Sequence, residues 1–103
     1  MKESQIRKKV IDELQKDKWH CWYPFKSRWA KESDIFGFAD VICVKGKKLR
    51  FIQLTSYPNI KAREKKVKNI INNIDWDLPV EVWGYNTKKK LFVIKTIYKD
   101  IQQ

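Results

Sequence analysis

Apolar residues recur at helical spacing near the start of the chain. Ile6, Val10 and Leu14 follow one another every four residues with charged residues between them, which predicts a helix over residues 3–17. Glu3 continues this stripe at its N-terminal end, three residues before Ile6. The first helix therefore carries one acidic side chain in line with the residues that should face the core.

A second stripe of helical spacing follows Pro58. Asn59 is the expected N-cap of this second helix. Its apolar positions are Ile60, Val67, Ile70, Ile71 and Ile74. Arg63 falls on the same stripe, three residues after Ile60, so this helix also places a charged side chain on its core-facing side.

Five shorter runs have the composition of β-strands. They cover residues 19–25, 38–44, 49–56, 80–85 and 91–98, and the second and third form a hairpin around Gly46. The predicted order is helix, three strands, helix, two strands (αβββαββ). We expect an α/β fold with a mixed central β-sheet flanked by helices.

Length and composition favour one packed domain over residues 1–103. The chain is 43% hydrophobic and 14% aromatic, which is too apolar for a disordered protein. No window approaches a membrane span and the first ten residues lack an apolar leader, so we expect a cytoplasmic, intracellular protein. His20 is the only histidine, and Cys21 and Cys43 match no zinc-site spacing, which argues against triad chemistry and favours two reduced, packed thiols.

The charge points to a polyanionic partner. Lys and Arg total 23 against 12 acids, a formal net charge of +11 and a pI near 9.8. Such an excess is typical of nucleic-acid-binding proteins, although a lysine-rich surface that only aids solubility is the alternative. The candidate nucleic-acid-binding residues are Lys26, Arg28, Trp29 and Lys31 in a basic loop, and Lys61 and Lys65 on the second helix.

Polar residues interrupt the predicted hairpin where a small protein should form its core. Asp40 lies in the first strand, and alternation puts Phe51, Gln53 and Thr55 on one face of the second. Burying an isolated carboxylate is costly, and a hard cation held by carboxylate and amide oxygens removes that cost. These positions are therefore candidates for a Mg²⁺ site.

In these segments the chain resembles the PD-(D/E)XK nuclease superfamily, and within it the branch of Holliday junction resolvases and related phage-type members. "FGFADVICV" is similar to the strand that carries the metal-binding Asp, and "FIQLTS" is similar to the (D/E)XK strand. The resemblance implies a restriction-endonuclease-like core, with Gln53 at the acidic position of that motif and Thr55 at its lysine position. Glu3 would match the acid that the resolvase-like branch carries on its first helix.

The resemblance implies a metal-dependent DNA endonuclease that uses Mg²⁺ or Mn²⁺, with branched DNA as a candidate substrate and a viral or phage gene as a candidate origin. Asp40, Gln53, Glu3 and Asp34 would hold the metal, and Arg63 or a nearby lysine would offset the charge that the absent motif lysine should neutralise. Because coordinated cutting needs two sites, we expect a homodimer.

Other interpretations stay open. Asp40 also suits a capping or ion-paired position, Gln53 could hydrogen-bond the backbone, and Thr55 is an ordinary strand residue. Glu3 also suits a helix N-terminus, Asp34 could pair with Lys31 or stabilise the turn before Gly37, and Arg63 also suits a snorkelling position. The leading alternative function is a catalytically inactive nucleic-acid-binding protein with the nuclease fold. A metal-independent RNA endonuclease is disfavoured, because His20 is the one histidine available as a general base.

Overall fold

A computed structural model of the protein describes residues 2–24 and 34–100. The helices and strands are α1 (Glu3–Lys16), β1 (His20–Trp22), β2 (Val41–Lys45), β3 (Lys48–Ser56), α2 (Ile60–Asn72), β4 (Val80–Asn86) and β5 (Leu91–Ile97). A 3-10 turn, Tyr57–Asn59, joins β3 to α2. The predicted order of two helices and five strands is confirmed.

The strands form one mixed sheet in the spatial order β1-β2-β3-β4-β5. Neighbouring strands are antiparallel except for β3 and β4, which are parallel because α2 carries the chain from one end of the sheet back to the other. The long strand β3 therefore lies at the centre, with a hydrogen-bonded partner on each side. The predicted α/β class with a mixed sheet is confirmed.

The two helices cover opposite faces of the sheet. Side chains alternate along β3, so Ile52 and Leu54 pack with the α1 stripe while Phe51 packs with Val67 of α2. The stripe positions Val10 and Val67 are fully buried. Each helix thus buries most of the apolar stripe that its sequence spacing indicated.

α1 runs from one end of the sheet to the other. At its C-terminal end, Asp17 pairs with Lys45 of the β2–β3 hairpin at 3.3 Å. In its N-terminal half, the Arg7 guanidinium lies 4.4 Å from the centre of the Tyr23 ring, just beyond the pairing of β1 with the start of β2. The first residue of α1 therefore lies towards the end of the sheet where β2 begins and β3 ends.

Several predicted boundaries were wrong. β1 spans three residues rather than 19–25, and β2 begins at Val41 rather than at residue 38. A tight loop replaces the expected start of β2, because Ile35 bridges to Ala39 across Phe36 and Gly37, both of which have a positive φ. Asp40 therefore lies immediately before a strand and not inside one.

The ends of α2 also differ from the prediction. Asn59 occupies the N-cap position, but its side-chain amide donates to Ser56 Oγ at 3.0 Å and makes no capping bond to the helix. The helix ends at Asn72, which leaves Ile74 outside it and 40% exposed. In the part of the chain that the structure describes, no helix combines the length and apolar character needed to cross a membrane.

Candidate functional site

Asp40 is held at the point where β2 begins. Its backbone N–H donates to the Ile52 carbonyl at 2.7 Å, which extends the β2–β3 ladder by one residue. Its side chain is 2% exposed, and Oδ2 accepts hydrogen bonds from the Leu54 backbone N–H at 2.8 Å and from Gln53 Nε2 at 2.5 Å. Two donors from β3 thus fix one carboxylate oxygen in a buried position.

Gln53 contributes the other half of this buried polar pair. Its Nε2 donates to Asp40 and, at 3.4 Å, to the Leu54 carbonyl. Its Oε1 is buried and has no hydrogen-bond partner among the residues that the structure describes. A buried acceptor without a partner costs roughly 1–3 kcal/mol. The pair therefore presents an amide oxygen that a donor or a cation would satisfy.

Thr55 lies two residues along β3 on the same face as Gln53 and is 7% exposed. It pairs with Gly84 of β4, and Ile60 of α2 packs onto that glycine so closely that an added Cβ would lie 2.3 Å from the isoleucine side chain. The glycine therefore lets the start of α2 approach the sheet next to Thr55. A threonine hydroxyl at this position carries no charge, so it cannot supply the ammonium group of the (D/E)XK motif.

Arg63 lies one turn after Ile60 on the sheet-facing side of α2, over the face that carries Gln53 and Thr55. It is half-buried, whereas Ile60 and Val67 are fully within the core. Its guanidinium forms no ion pair with another described residue. Arg63 is thus less buried than the apolar residues of the stripe, and its role in the site stays a prediction.

Asp34 and Glu3 approach this end of the sheet from two directions. The Ile35–Ala39 bridge folds the chain back, so Asp34 and Asp40 flank the same bridge, and Asp34 is half-buried. Glu3 is exposed in the first turn of α1, where its charge also suits the helix dipole. Across residues 2–24 and 34–100, no three His, Cys, Asp or Glu side chains form a group suited to a metal ion.

The donor atoms at this site nevertheless fit a hard cation in part. Asp40 offers a carboxylate and Gln53 an amide oxygen, and both are ligand types that Mg²⁺ takes. Mg²⁺ keeps several waters and is commonly completed by substrate phosphate, so two protein oxygens are a workable set. These two oxygens alone do not complete the coordination of the metal.

A basic groove runs between α2 and β5. Its lining includes Lys61, Lys65 and Lys68 from α2, and Tyr98, Lys99 and Asp100 after β5. Lys68 pairs with Asp100 at 2.7 Å, and this hydrogen bond lowers the pKa of the Asp100 carboxyl. Lys61 and Lys65, the two predicted contacts on α2, are exposed and make no ion pair with another described residue.

The other four predicted contacts, Lys26, Arg28, Trp29 and Lys31, lie outside the described residues. Sequence reasoning missed two features: the Leu54 backbone N–H that anchors Asp40, and Tyr98, which is 63% exposed beside the groove. The tyrosine was visible in the sequence as an aromatic residue next to a lysine, but its position opposite α2 depends on how β5 pairs.

The sequence also suggests residues 80–85 and 91–98, with Trp76 and Trp83 nearby, as the dimer contact surface, and this surface needs correction. Trp83 is 3% exposed beneath α1, and Trp76 is half-buried among Phe38 and Phe51, so neither tryptophan offers a free face. β4 is an interior strand, and β5 is one of the two edge strands of the sheet, the other being β1. Exposed apolar side chains at that edge, such as Ile94 at 44%, are the surface that a second copy could cover.

Comparison with known proteins found no similar protein. No protein-family model matches the chain, and neither the curated proteins nor the solved structures contain a match. The functional argument for this chain therefore comes from its own residues.

Proposed function

We propose that this protein is a metal-dependent DNA endonuclease with a restriction-endonuclease-like core of the PD-(D/E)XK type. The observation that carries the proposal is the buried Asp40–Gln53 pair, with its unpartnered amide oxygen, at the end of two adjacent strands. The order of helices and strands and the mixed sheet support it. Its substrate is DNA, with branched DNA among the candidates.

The metal, Mg²⁺ or Mn²⁺, would be held by Asp40 and by Gln53 Oε1. The amide nitrogen faces the carboxylate at 2.5 Å, so metal binding requires the amide to rotate and present its oxygen to the same space. When bound, the metal polarises the phosphate and lowers the pKa of an attacking water. Glu3 and Asp34 approach this end of the sheet and are the candidate further acids.

Charge neutralisation would fall to the protein's cations. Thr55 cannot neutralise negative charge on the scissile phosphate, whereas Arg63 lies on the same face of the sheet and makes no ion pair with another described side chain. Lys61 and Lys65 would hold phosphates further along the strand, in the groove between α2 and β5. These lysines fix the position of DNA without reading its sequence.

A second candidate function is a DNA-binding protein with the same fold and no turnover. The observation that favours it is the hydrogen bond from Gln53 Nε2 to Asp40, which already occupies the carboxylate oxygen that a metal would use. Thr55 in place of the motif lysine favours it as well. Both candidates share the basic groove, so affinity for DNA does not separate them.

Cleavage separates the two candidates. Linear, single-stranded and four-way-junction DNA are incubated with the wild type and with Asp40→Asn, in EDTA, Mg²⁺ or Mn²⁺. An endonuclease cuts at least one substrate with metal only, and Asp40→Asn lowers the rate by at least about a hundredfold, or about 2.7 kcal/mol of barrier.

The matched control is Asp12→Asn, since Asp12 is an exposed acid on α1 and its substitution should leave cleavage unchanged. DNA affinity should persist or rise in Asp40→Asn, because a negative charge facing phosphate is removed. Metal-independent binding with no cleavage of any substrate by the wild type would overturn the endonuclease proposal and support the binding protein.

A further inference from the structure

Cys21 and Cys43 are directly paired across neighbouring strands. They are register partners in the antiparallel pair β1–β2, and their sulfur atoms lie 3.3 Å apart. Directly opposed residues in antiparallel strands have Cα atoms about 4.5–5.5 Å apart, which falls inside the range that a disulfide spans. Both side chains point to the α1 face, so no strand has to turn over for the sulfurs to meet.

The two thiols differ in exposure. Cys43 is fully buried, whereas Cys21 is half-buried and lines two surface depressions, one beside Arg7 and Tyr23 and the other beside His20. A small oxidant therefore reaches Cys21 first. Cys43 donates its proton towards Cys21, and burial together with this hydrogen bond raises the pKa of the Cys43 thiol. The Cys43 thiol is accordingly hard to ionise, so it remains protonated until the Cys21 sulfur has been oxidised.

From this geometry we propose that Cys21 and Cys43 form an oxidisable dithiol, in which Cys21 is the site of attack by a hydroperoxide and Cys43 is the resolving thiol. This assignment is independent of the proposed endonuclease function, because the pair lies on the α1 face and shares no residue with the Asp40–Gln53 pair.

The chemistry balances in two steps. The Cys21 thiolate attacks hydrogen peroxide, an S–O bond forms, the O–O bond breaks, and the departing hydroxide takes up a proton to leave as water, which gives a sulfenic acid. The Cys43 sulfur then attacks the Cys21 sulfur, the S–S bond forms, the S–O bond breaks, and hydroxide leaves with the Cys43 proton as a second water. The thiols lose two electrons and the peroxide gains them.

The product would join the edge strand β1 to β2. β1 has only three residues and pairs with the sheet along one side, so it has few backbone bonds to hold it in place. The disulfide would fix it covalently next to the strand that begins just after Asp40. Oxidation should therefore raise the stability of the fold while leaving the chain monomer-sized on a non-reducing gel.

The test treats the folded, full-length protein with hydrogen peroxide and follows it by intact mass and by non-reducing peptide mapping. We expect a mass lower by two hydrogen atoms and a linked peptide pair that contains both cysteines. Cys43→Ser should instead accumulate a Cys21 sulfenic acid that dimedone traps, and Cys21→Ser should react far more slowly.

A control in denaturant tests whether the folded strands bring the two thiols together. The same oxidation in denaturant should form the intramolecular bond at least about tenfold more slowly, because the paired strands no longer hold the thiols together. A chain that is oxidised to intermolecular dimers, or that forms its internal disulfide equally fast when unfolded, would overturn the proposal. So would a folded wild type in which peroxide labels Cys21 without any internal bond forming.

Discussion

Gln53→Glu would place a second carboxylate against Asp40 in a buried site. Gln53 Nε2 lies 2.5 Å from Asp40 Oδ2, and both side chains are almost fully buried. Two carboxylates with centres about 4 Å apart repel by about 4 kcal/mol at an effective dielectric constant of about 20. Since one pKa unit is about 1.4 kcal/mol, the last proton of the pair should leave about three units above the ordinary value for a glutamate, at about pH 7.

The sign of the pH dependence follows from proton binding. In the unfolded variant the introduced glutamate ionises at about pH 4.3, whereas the folded pair keeps its shared proton to about pH 7. Between these values the native state binds more protons than the unfolded state, so the stability of the variant falls as pH rises and then levels off. The wild type has a neutral amide at this position, so its stability does not fall with pH for this reason.

The assay is urea unfolding of wild type and Gln53→Glu between about pH 4 and about pH 8, in EDTA and in Mg²⁺. We expect the variant to lose up to about 4 kcal/mol relative to wild type over this window in EDTA, and to recover much of it in Mg²⁺, because the cation replaces the shared proton. Gln15→Glu adds the same charge at an exposed position of α1 and serves as the control.

Two results would refute this reasoning. If Gln53→Glu follows the pH profile of Gln15→Glu, the buried contact between positions 40 and 53 does not exist as described. If the loss appears but Mg²⁺ fails to reverse it, the contact stands and the metal proposal fails at this site.

Three further predictions follow from the same structure. Asp40→Ala should lower the free energy of unfolding by about 2–5 kcal/mol, as measured in urea, because it leaves the buried Leu54 N–H without an acceptor and the Gln53 amide with only its 3.4 Å bond to the Leu54 carbonyl, and a value near zero would contradict the hydrogen bonds to Asp40. DNA affinity should fall steeply with salt in a filter-binding or anisotropy titration, with a log–log slope of roughly −5 for about six phosphate contacts, and a slope near zero would remove the electrostatic argument. Light scattering at tens of micromolar should show a homodimer, formed through the exposed edge at β5, and a monomer alone would argue against it.

Apolar spacing correctly predicted the helices and strands whose buried side follows from neighbouring residues in the sequence. Ile6, Val10 and Leu14 all face the core from α1, and the order of strands was correct because each run was bounded by turn residues. The start of β2 was wrong because continuous apolar residues do not distinguish a strand from a tight loop. There, the turn that starts with the left-handed backbone of Phe36 and Gly37 includes Phe38, so the strand begins only at Val41.

The sequence predicted which residues form the site, but it did not predict how their side chains are arranged. Alternation placed Gln53 and Thr55 on one face of β3, but which amide atom faces Asp40 depends on side-chain rotation, which no spacing encodes. The sequence also did not predict that Cys21 lies opposite Cys43. A long connection joins β1 to β2, so no short turn fixes their register in the sequence.

The most direct test of the central claim is a crystal of the protein grown with Mn²⁺ and a DNA fragment, with anomalous scattering measured at the manganese edge. The proposal predicts an anomalous peak within coordination distance of the Asp40 carboxylate, with the Gln53 amide rotated so that Oε1 faces the metal. A Gln53 amide that still donates to Asp40, with no anomalous peak beside it while DNA is bound, would contradict the metal-dependent mechanism.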